Sequence, residues 1–233
     1  TYIIYMYRYR NRLFALCNCS FSVMVKFMIL QLLVMSVVSN IRITSWNIRG
    51  LKTNDAYLYK LLDECDICCI QEHFLYEQEL PILQNLDPRF HVVASFSKNL
   101  DPMNCGKKMG QGGVALLYRH SLIKAVELKS NSDRLCGIKI VTELQPIHVI
   151  CMYLPQSNCY IAAYDQVLSE LGELVQGCSV NGPVILIGDA NAHLGSEAGP
   201  RGWGSSSLNG VKLQHFAHIN SLTIPDVTAI CTG

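Results

Sequence analysis

The sequence has few charged residues, and this shortage argues against a disordered chain. Of its 233 residues, 16% are charged and 50% are hydrophobic. A disordered chain has the opposite balance, with low hydrophobicity and high net charge. The chain is therefore predicted to build a hydrophobic core, and its length suits one domain with an appendage.

An excess of basic residues is also missing from most of the chain. Four of the 19 basic residues lie in the first 40 positions, which contain no acidic residue. The other 15 are set against 18 acidic residues, so residues 41–233 carry a formal net charge of −3. Nucleic-acid-binding domains usually have a basic surface, and tight binding driven by charge alone is not expected here. Lys107, Lys108 and Arg119 could contact a nucleic-acid backbone locally, but we prefer to interpret them as part of a solvated loop.

The 11 cysteines do not have the pattern of a disulfide framework. Nine lie in residues 41–233 without a pairing rhythm. Cys68, Cys69 and Cys151 lie within apolar runs, where a free cysteine behaves as a small hydrophobic residue. Cys65 and Cys68 have the spacing of half a zinc site, but no second Cys or His pair follows at a suitable distance. We predict structural thiols in a reducing compartment, which favours a nuclear or cytoplasmic location over a membrane or secreted one.

Residues 1–40 lack a clean membrane span and are predicted to lie outside the domain. The apolar stretch at 13–38 is interrupted by Asn18, Lys26 and Gln31. A span needs about 20 apolar residues, and a central lysine costs about 2.5–3.5 kcal/mol on insertion scales. Because the chain begins with Thr rather than Met, it is interpreted either as a fragment or as including the translation of unrelated upstream DNA, and the second interpretation is preferred. A signal or anchor segment is the alternative, with membrane association through residues 13–38.

The most distinctive segment that is present is an apolar run ending in a carboxylate and a carboxamide. Residues 184–187 have the pattern of a strand buried on both faces, and Asp189 and Asn191 follow them. Open α/β sheets place their ligands at the carboxyl ends of strands. A charged Asp buried there is costly unless a metal ion or hydrogen bonds compensate. Alone, this segment fits equally well a structural Asp189 that bonds turn amides.

Three further apolar runs end in polar side chains of a similar kind. Asn47, Glu72 and Tyr153 each come at the end of a short strand-like run. Carboxylate and carboxamide oxygens suit a hard cation such as Mg²⁺, which needs only one or two protein carboxylates and keeps several waters. Four such strand ends in one chain predict a Mg²⁺ site, with Mn²⁺ as a substitute.

The rest of residues 41–233 alternates between helix-like and strand-like segments. Helical spacing or composition predicts helices at 54–65, 77–85, 161–175 and 208–220. Further strands are predicted at 91–96, 113–118, 123–129, 135–141, 147–153 and 221–227, with a hairpin turn at 143–146. This alternation predicts an α/β domain.

Four motifs carry a resemblance to a known family: Trp46-Asn47-Ile48-Arg49-Gly50-Leu51, Gln71-Glu72, Tyr153-Leu154-Pro155-Gln156 and Gly188-Asp189-Ala190-Asn191-Ala192-His193. In this order and spacing they resemble the signatures of the endonuclease/exonuclease/phosphatase superfamily. With residues 110–117 and Asp133-Arg134-Leu135, they resemble more narrowly the apurinic-type endonuclease domain of non-LTR (LINE-like) retrotransposons, a domain associated with a reverse transcriptase. The resemblance covers residues 41–233. It implies a two-sheet α/β sandwich flanked by helices, with DNA as the substrate and no stable protein partner.

The resemblance also implies a role for each of the five polar residues. Glu72 matches the metal-binding glutamate of the family, and Asn47 matches the asparagine beside it. Asp189 matches the aspartate that positions or deprotonates the attacking water. Asn191 and Tyr153 match the residues that hydrogen-bond the scissile phosphate. Together they imply metal-assisted phosphodiester cleavage, in which fixed donors stabilise the charge that develops in the transition state.

The sequence also departs from the family's pattern. The family ends with an aspartate on a late strand and a Ser-Asp-His motif on the last one, and no Ser-Asp-His occurs here. We therefore expect a fold that is incomplete at its C-terminal side, with one sheet edge uncovered. We expect the chain as it stands to cleave DNA weakly or not at all, while a full-length parent would nick DNA. Ala190 stands where an aromatic residue is usual. Arg49 stands where the DNA-repair relatives have a carboxylate and where retrotransposon members often have Arg.

Three hypotheses about function follow. The first is a Mg²⁺-dependent, DNA-nicking endonuclease of retrotransposon origin, impaired by truncation. The second is a catalytically inactive remnant with part of the family's site. The third is a phosphatase or phosphodiesterase of the same superfamily that acts on lipid or inositol phosphates, against which the wording of the motifs at Trp46 and Tyr153 argues.

Overall fold

Two β-sheets pack face to face, and helices cover their outer faces. The computed structural model describes residues 3–8, 41–97, 110–122, 124–142, 145–156, 161–199 and 203–224. The strands are β1 (Ile3–Arg8), β2 (Ile43–Asn47), β3 (Ile67–Gln71), β4 (Phe90–Ser95), β5 (Val114–Arg119), β6 (Ala125–Glu127), β7 (Leu135–Ile140), β8 (Ile147–Tyr153) and β9 (Val184–Asp189). The helices are α1 (Leu51–Glu64), α2 (Leu80–Gln84), α3 (Ile161–Ser179) and α4 (Leu208–Ile219), with 3₁₀ turns at Glu77–Glu79 and Ser196–Ala198.

The sheet topology brings the ends of four strands to one edge of the sandwich. One sheet has the order β1-β9-β8-β7-β6, and the other has the order β2-β3-β5-β4. Strands β2 and β3 are parallel and are joined through α1, while β8 and β9 are parallel and are joined through α3. Their registers place Asn47 beside Gln71 and Tyr153 beside Asp189. Since β9 also contacts β2 and β3 across the sandwich, both pairs of strand ends lie close together.

Alternation along the buried strands divides the apolar side chains among three cores. In β8, Val149 and Cys151 face the other sheet, while Ile150 and Met152 face the helices α3 and α4. The same alternation in β3 directs Ile67 and Cys69 between the sheets and Cys68 and Ile70 towards α1. A strand buried on both faces reads as a continuous apolar run, which explains why these strands could be located from the sequence.

The predicted two-sheet α/β sandwich is confirmed, and several element boundaries are corrected. The first helix starts at Leu51 rather than at residue 54, and it is kinked at Asn54, whose side chain donates to the carbonyls of Ile48 and Arg49. The helix predicted at 77–85 is divided into a 3₁₀ turn and the short α2, because Pro81 stands at its first turn. The strand predicted at 123–129 is only three residues long.

The structure near the two ends of the chain can be compared with what the sequence predicted there. Within residues 1–40, Ile3–Arg8 forms β1 and pairs antiparallel with β9, which was not anticipated, and residues 13–38 lie outside the described residues. Residues 221–224 of the predicted last strand are described, and the remainder is not. Among the described strands, the sheet edges β1, β6, β2 and β4 each have a neighbour on one side only. None of the helices that the structure describes combines the length and apolar character that a membrane crossing requires.

Candidate active site

The four polar strand ends predicted from the sequence meet at one edge of the sandwich. Asn47 ends β2, Glu72 follows β3, Tyr153 ends β8 and Asp189 ends β9. Asp189 is almost fully buried, with 3% of its surface exposed. A buried carboxylate requires hydrogen bonds or a cation to offset its lost hydration. The groups that contact Asp189 therefore indicate whether the site is suited to bind a cation.

The side chain of Asn47 joins the two carboxylates. Its Nδ2 donates to Oε1 of Glu72 at 2.7 Å and to Oδ2 of Asp189 at 2.8 Å. These contacts cross the sandwich, because Asn47 and Glu72 belong to the four-stranded sheet and Asp189 belongs to the five-stranded sheet. The amide group thus holds two like charges close together in a partly buried cleft.

Tyr153 completes this cluster from the neighbouring strand. Its hydroxyl donates a hydrogen bond to the Glu72 carboxylate. Burial of the ring, the charge of Glu72 and this hydrogen bond all raise the pKa of Tyr153 above its ordinary value. The phenol therefore stays protonated at neutral pH, and its single O–H proton is directed at Glu72.

Asn191 lies beside the cluster, but its side chain is already engaged. Its Nδ2 donates to the carbonyl of Leu154 at 2.8 Å, and its backbone N–H donates to Oδ1 of Asp189 at 3.0 Å. Asn191 has a φ of 45°, a left-handed conformation that is uncommon outside glycine. The residue therefore orients Asp189, and one amide proton of its side chain remains for another acceptor. Its predicted contact with a phosphate stays a prediction.

The loop that carries Glu72 is held by residues that the sequence did not single out. Glu72 itself has a φ of 57°, and its backbone N–H donates to the carbonyl of Gly113 at 2.9 Å. His73 is fully buried; its Nδ1 accepts from the N–H of Leu75, so its Nε2 donates to the carbonyl of Ser95. Burial lowers the pKa of His73 to about 4, so the imidazole is neutral.

Glycine at position 113 makes room for this imidazole. A Cβ there would lie 2.2 Å from Cε1 of His73, and the backbone has a φ of +81°. Both features exclude a larger residue without rearrangement. A buried His and a paired glycine cannot be recognised as partners in the sequence, because 39 positions separate them.

Arg134, which precedes β7, is a further residue that was missed as part of the site. Its guanidinium carbon lies 5.1 Å from the centroid of the Tyr153 ring. The sequence offered Asp133-Arg134-Leu135 only as part of a family motif. Its contact with Tyr153 depends on the register of β7 and β8, which the motif does not reveal.

The donors in the cleft fit a hard divalent cation. Oδ1 of Asn47 is buried and has no hydrogen-bond partner among the described residues, although Nδ2 of the same amide is fully used. Within the described part of the chain, no group of three or more His, Cys, Asp or Glu side chains is arranged to hold a metal ion. A cation here would therefore draw on one or two carboxylates, the Asn47 oxygen and waters, which is how proteins usually bind Mg²⁺.

Comparison with known families agrees with this arrangement of sheets and helices. The sequence pattern of the Endonuclease/Exonuclease/phosphatase family matches residues 44–227, which is most of the chain. The chain belongs to this family. Membership in this family of endonucleases, exonucleases and phosphatases confirms the broad class that was predicted, an enzyme that hydrolyses phosphate esters. A comparison with curated proteins finds no match.

Solved structures with a similar fold include a 3′ phosphatase and two endonucleases. The 3′ phosphatase NExo from Neisseria, bound to a product DNA hairpin, has 18% sequence identity and a TM-score of 0.56, and the alignment covers 77% of this chain and 71% of that one. The AP endonuclease LMAP from Leishmania major has 16% identity and a TM-score of 0.59, with 77% and 66% covered. The endonuclease domain of TRAS1, a telomere-specific non-LTR retrotransposon, has 15% identity and a TM-score of 0.52, with 77% and 72% covered. At such identities the likeness is one of fold.

Proposed function

We propose that this chain is a divalent-cation-dependent phosphodiester hydrolase that nicks DNA, and that its origin is the endonuclease domain of a non-LTR retrotransposon. The observation that carries the proposal is the Asn47 amide bonded to both Glu72 and Asp189, with its own oxygen left without a described partner. Two carboxylates held this way suit a cation and a phosphodiester better than a purely structural turn.

Each side chain of the cluster is assigned one task in this proposal. Glu72 and Asn47 would hold Mg²⁺ or Mn²⁺, whose chemistry is to neutralise phosphate charge and stabilise the leaving oxygen. Asp189 accepts a proton from the attacking water, and its orientation is fixed by the N–H of Asn191 and the amide of Asn47. The remaining amide proton of Asn191 donates to a phosphate oxygen, and the single O–H proton of Tyr153 would turn from Glu72 to another phosphate oxygen when Glu72 binds the cation.

The proposal that the substrate is DNA is supported by relatives of the same fold. The Neisseria structure contains a DNA hairpin, and the Leishmania and TRAS1 structures are described as endonucleases. The motifs around Asn47 and Tyr153 are those that resemble the retrotransposon group. The net charge of −3 for residues 41–233 implies that contacts with DNA are few and local.

A substrate panel tests this choice. The full chain would be incubated with Mg²⁺ and either supercoiled plasmid or a mixture of inositol phosphates, with EDTA in parallel. We expect conversion of plasmid to the nicked circle and no release of inorganic phosphate. Phosphate release without nicking would instead favour the phosphatase hypothesis, and inactivity towards both substrates would favour a remnant without catalysis.

A further inference from the structure

Arg134 occupies a defined place beside the catalytic cluster. The backbone N–H of Tyr153 donates to the carbonyl of Arg134 at 2.9 Å, which extends the pairing of β7 and β8 by one residue. Tyr153 is in turn paired with Asp189 on β9. Arg134, Tyr153 and Asp189 therefore form a row across three neighbouring strands. At about 4.8 Å per strand, the backbone of Arg134 lies roughly 10 Å from that of Asp189.

The guanidinium of Arg134 is fixed over the Tyr153 ring. Its Cζ lies 5.1 Å from the ring centroid, a distance typical of a cation–π contact. Its Nη1 donates to the Tyr153 carbonyl at 3.4 Å, which is a long hydrogen bond. A guanidinium has five N–H donors, so most of them have no acceptor among the described residues.

The charge of Arg134 is also unpaired in the described part of the chain, unlike that of three other arginines. Arg42 pairs with Asp66, and Arg89 pairs with Asp63 and Asp87. Arg119 pairs with Asp66 and donates to carbonyls at the end of α1. No described carboxylate lies within ion-pair distance of Arg134, which is only half-buried.

We propose that Arg134 binds a phosphate of the DNA backbone that flanks the scissile one. This inference rests on the proposed function and adds a substrate contact outside the five residues predicted from the sequence. A planar guanidinium held by a ring and a backbone carbonyl is pre-organised, so it can bind a phosphate through two parallel hydrogen bonds. Its position one strand beyond Tyr153 lies next to the place that the proposed function gives to the scissile phosphate.

Binding to duplex DNA as a function of salt tests the proposal. Fluorescence anisotropy would be measured with the full chain in EDTA, which prevents cleavage, between about 50 and 200 mM salt. The variants are Arg134→Gln and Arg134→Met, which remove the charge, and Arg134→Lys, which retains it. Arg89→Gln is the matched control, because that arginine is already paired with two carboxylates. Circular dichroism checks that each variant is folded.

We expect the slope of log K against log salt to lose about 1 in magnitude in both neutral variants, with weaker binding to every sequence. Arg134→Lys should keep the slope and bind less tightly, since an ammonium group lacks the fork of donors. Arg89→Gln should behave as the parent. Cleavage by Arg134→Met should show a raised KM and a nearly unchanged kcat.

Three results would overturn the inference. An unchanged slope and affinity in both neutral variants would show that Arg134 makes no DNA contact. An unchanged slope with a lowered kcat would show that it acts only by positioning Tyr153. In both cases DNA binding and nicking by the parent chain would leave the proposed function standing. Absence of DNA binding by the parent chain would overturn both proposals together.

Discussion

Replacing Asn47 with Asp tests the amide bridge that holds the site together. Nδ2 of Asn47 lies 2.7 Å from Oε1 of Glu72 and 2.8 Å from Oδ2 of Asp189. The two carboxylate oxygens can therefore be no more than about 5.5 Å apart, the sum of these distances. The variant replaces the only described donor between them with a third negative charge, so the site should become unstable unless a cation is bound.

The size of the effect follows from these contacts. Hydrogen bonds to charged groups contribute about 1.5–3 kcal/mol each, and two are lost. Like charges about 4 Å apart repel by about 4 kcal/mol near a protein surface, although relaxation will reduce this. We expect the free energy of unfolding in EDTA to fall by at least about 3 kcal/mol. A cation at about 100 times its Kd would restore about 2.7 kcal/mol, which is close to the lower bound of this loss.

Urea denaturation in EDTA and in Mg²⁺ measures this difference, with Asn209→Asp as the matched control. Asn209 is also buried, and its Nδ2 donates to the carbonyls of Asn191 and Pro155 at 3.0 and 3.2 Å. Its substitution also removes two amide donors and adds a carboxylate, but Asn209 has no described hydrogen bond to Glu72 or Asp189. Asn47→Asp should gain more stability from Mg²⁺ than the parent chain does, and Asn209→Asp should gain no more than the parent. Equal recovery of both variants, or an Asn47→Asp chain as stable as the parent in EDTA, would refute the reasoning.

The tyrosine, the buried imidazole and the glycine beside it each give a measurable outcome. Tyr153→Phe should lower the rate of DNA cleavage about 10²–10³-fold. The pH profile between about pH 7 and 10 should not change, because the raised pKa of Tyr153 keeps its phenol protonated in the parent chain. A loss of activity at alkaline pH that occurs in the parent and not in the variant would contradict this. The folded-state pKa of His73, about 4 against an ordinary 6.5, means that only the unfolded chain binds a proton between these values. The contribution of the neutral His73 to stability is therefore fully present above pH 6.5 and is lost as the pH falls towards 4, by about 2 kcal/mol at pH 5. Urea denaturation at pH 7 and pH 5 should show a smaller loss of stability in His73→Asn than in the parent chain. Gly113→Ala should lower the free energy of unfolding by about 1–3 kcal/mol, since its Cβ would clash with His73. Gly177→Ala, whose Cβ would lie in open space on α3, should raise the free energy of unfolding by about 0.4–1 kcal/mol. Thermal melts in which Gly113→Ala is the more stable variant would contradict the close packing of Gly113 against His73.

The location of the site could be predicted from the sequence because it depends on short-range patterns. Apolar runs that end abruptly in Asn47, Glu72, Tyr153 and Asp189 mark buried strands and their exposed edge, and parallel neighbours bring such ends together. The structure does bring these four side chains together. Their catalytic roles rest on the resemblance and stay predictions.

The features that were missed depend on tertiary pairing or on local backbone conformation. The stacking of Arg134 on Tyr153 requires the register of two strands, and the burial of His73 requires Gly113 from a distant loop. The engagement of Asn191 with Leu154 follows from a left-handed turn that its sequence does not announce. The strand β1 was not predicted, because the hydropathy and charge of residues 1–40 do not reveal pairing with β9.

The most direct test of the account is the cation dependence of strand nicking. The 233-residue chain, in excess over supercoiled plasmid, would be incubated with Mg²⁺ or EDTA beside its Glu72→Ala, Asp189→Ala and Glu77→Ala variants. Glu77 is an exposed carboxylate on the same loop as Glu72 and serves as the control. We expect slow nicking in Mg²⁺ by the parent chain and Glu77→Ala, and none in EDTA or by the two site variants. Nicking that persists in Glu72→Ala and Asp189→Ala, or no cation-dependent nicking by the parent chain, would contradict it.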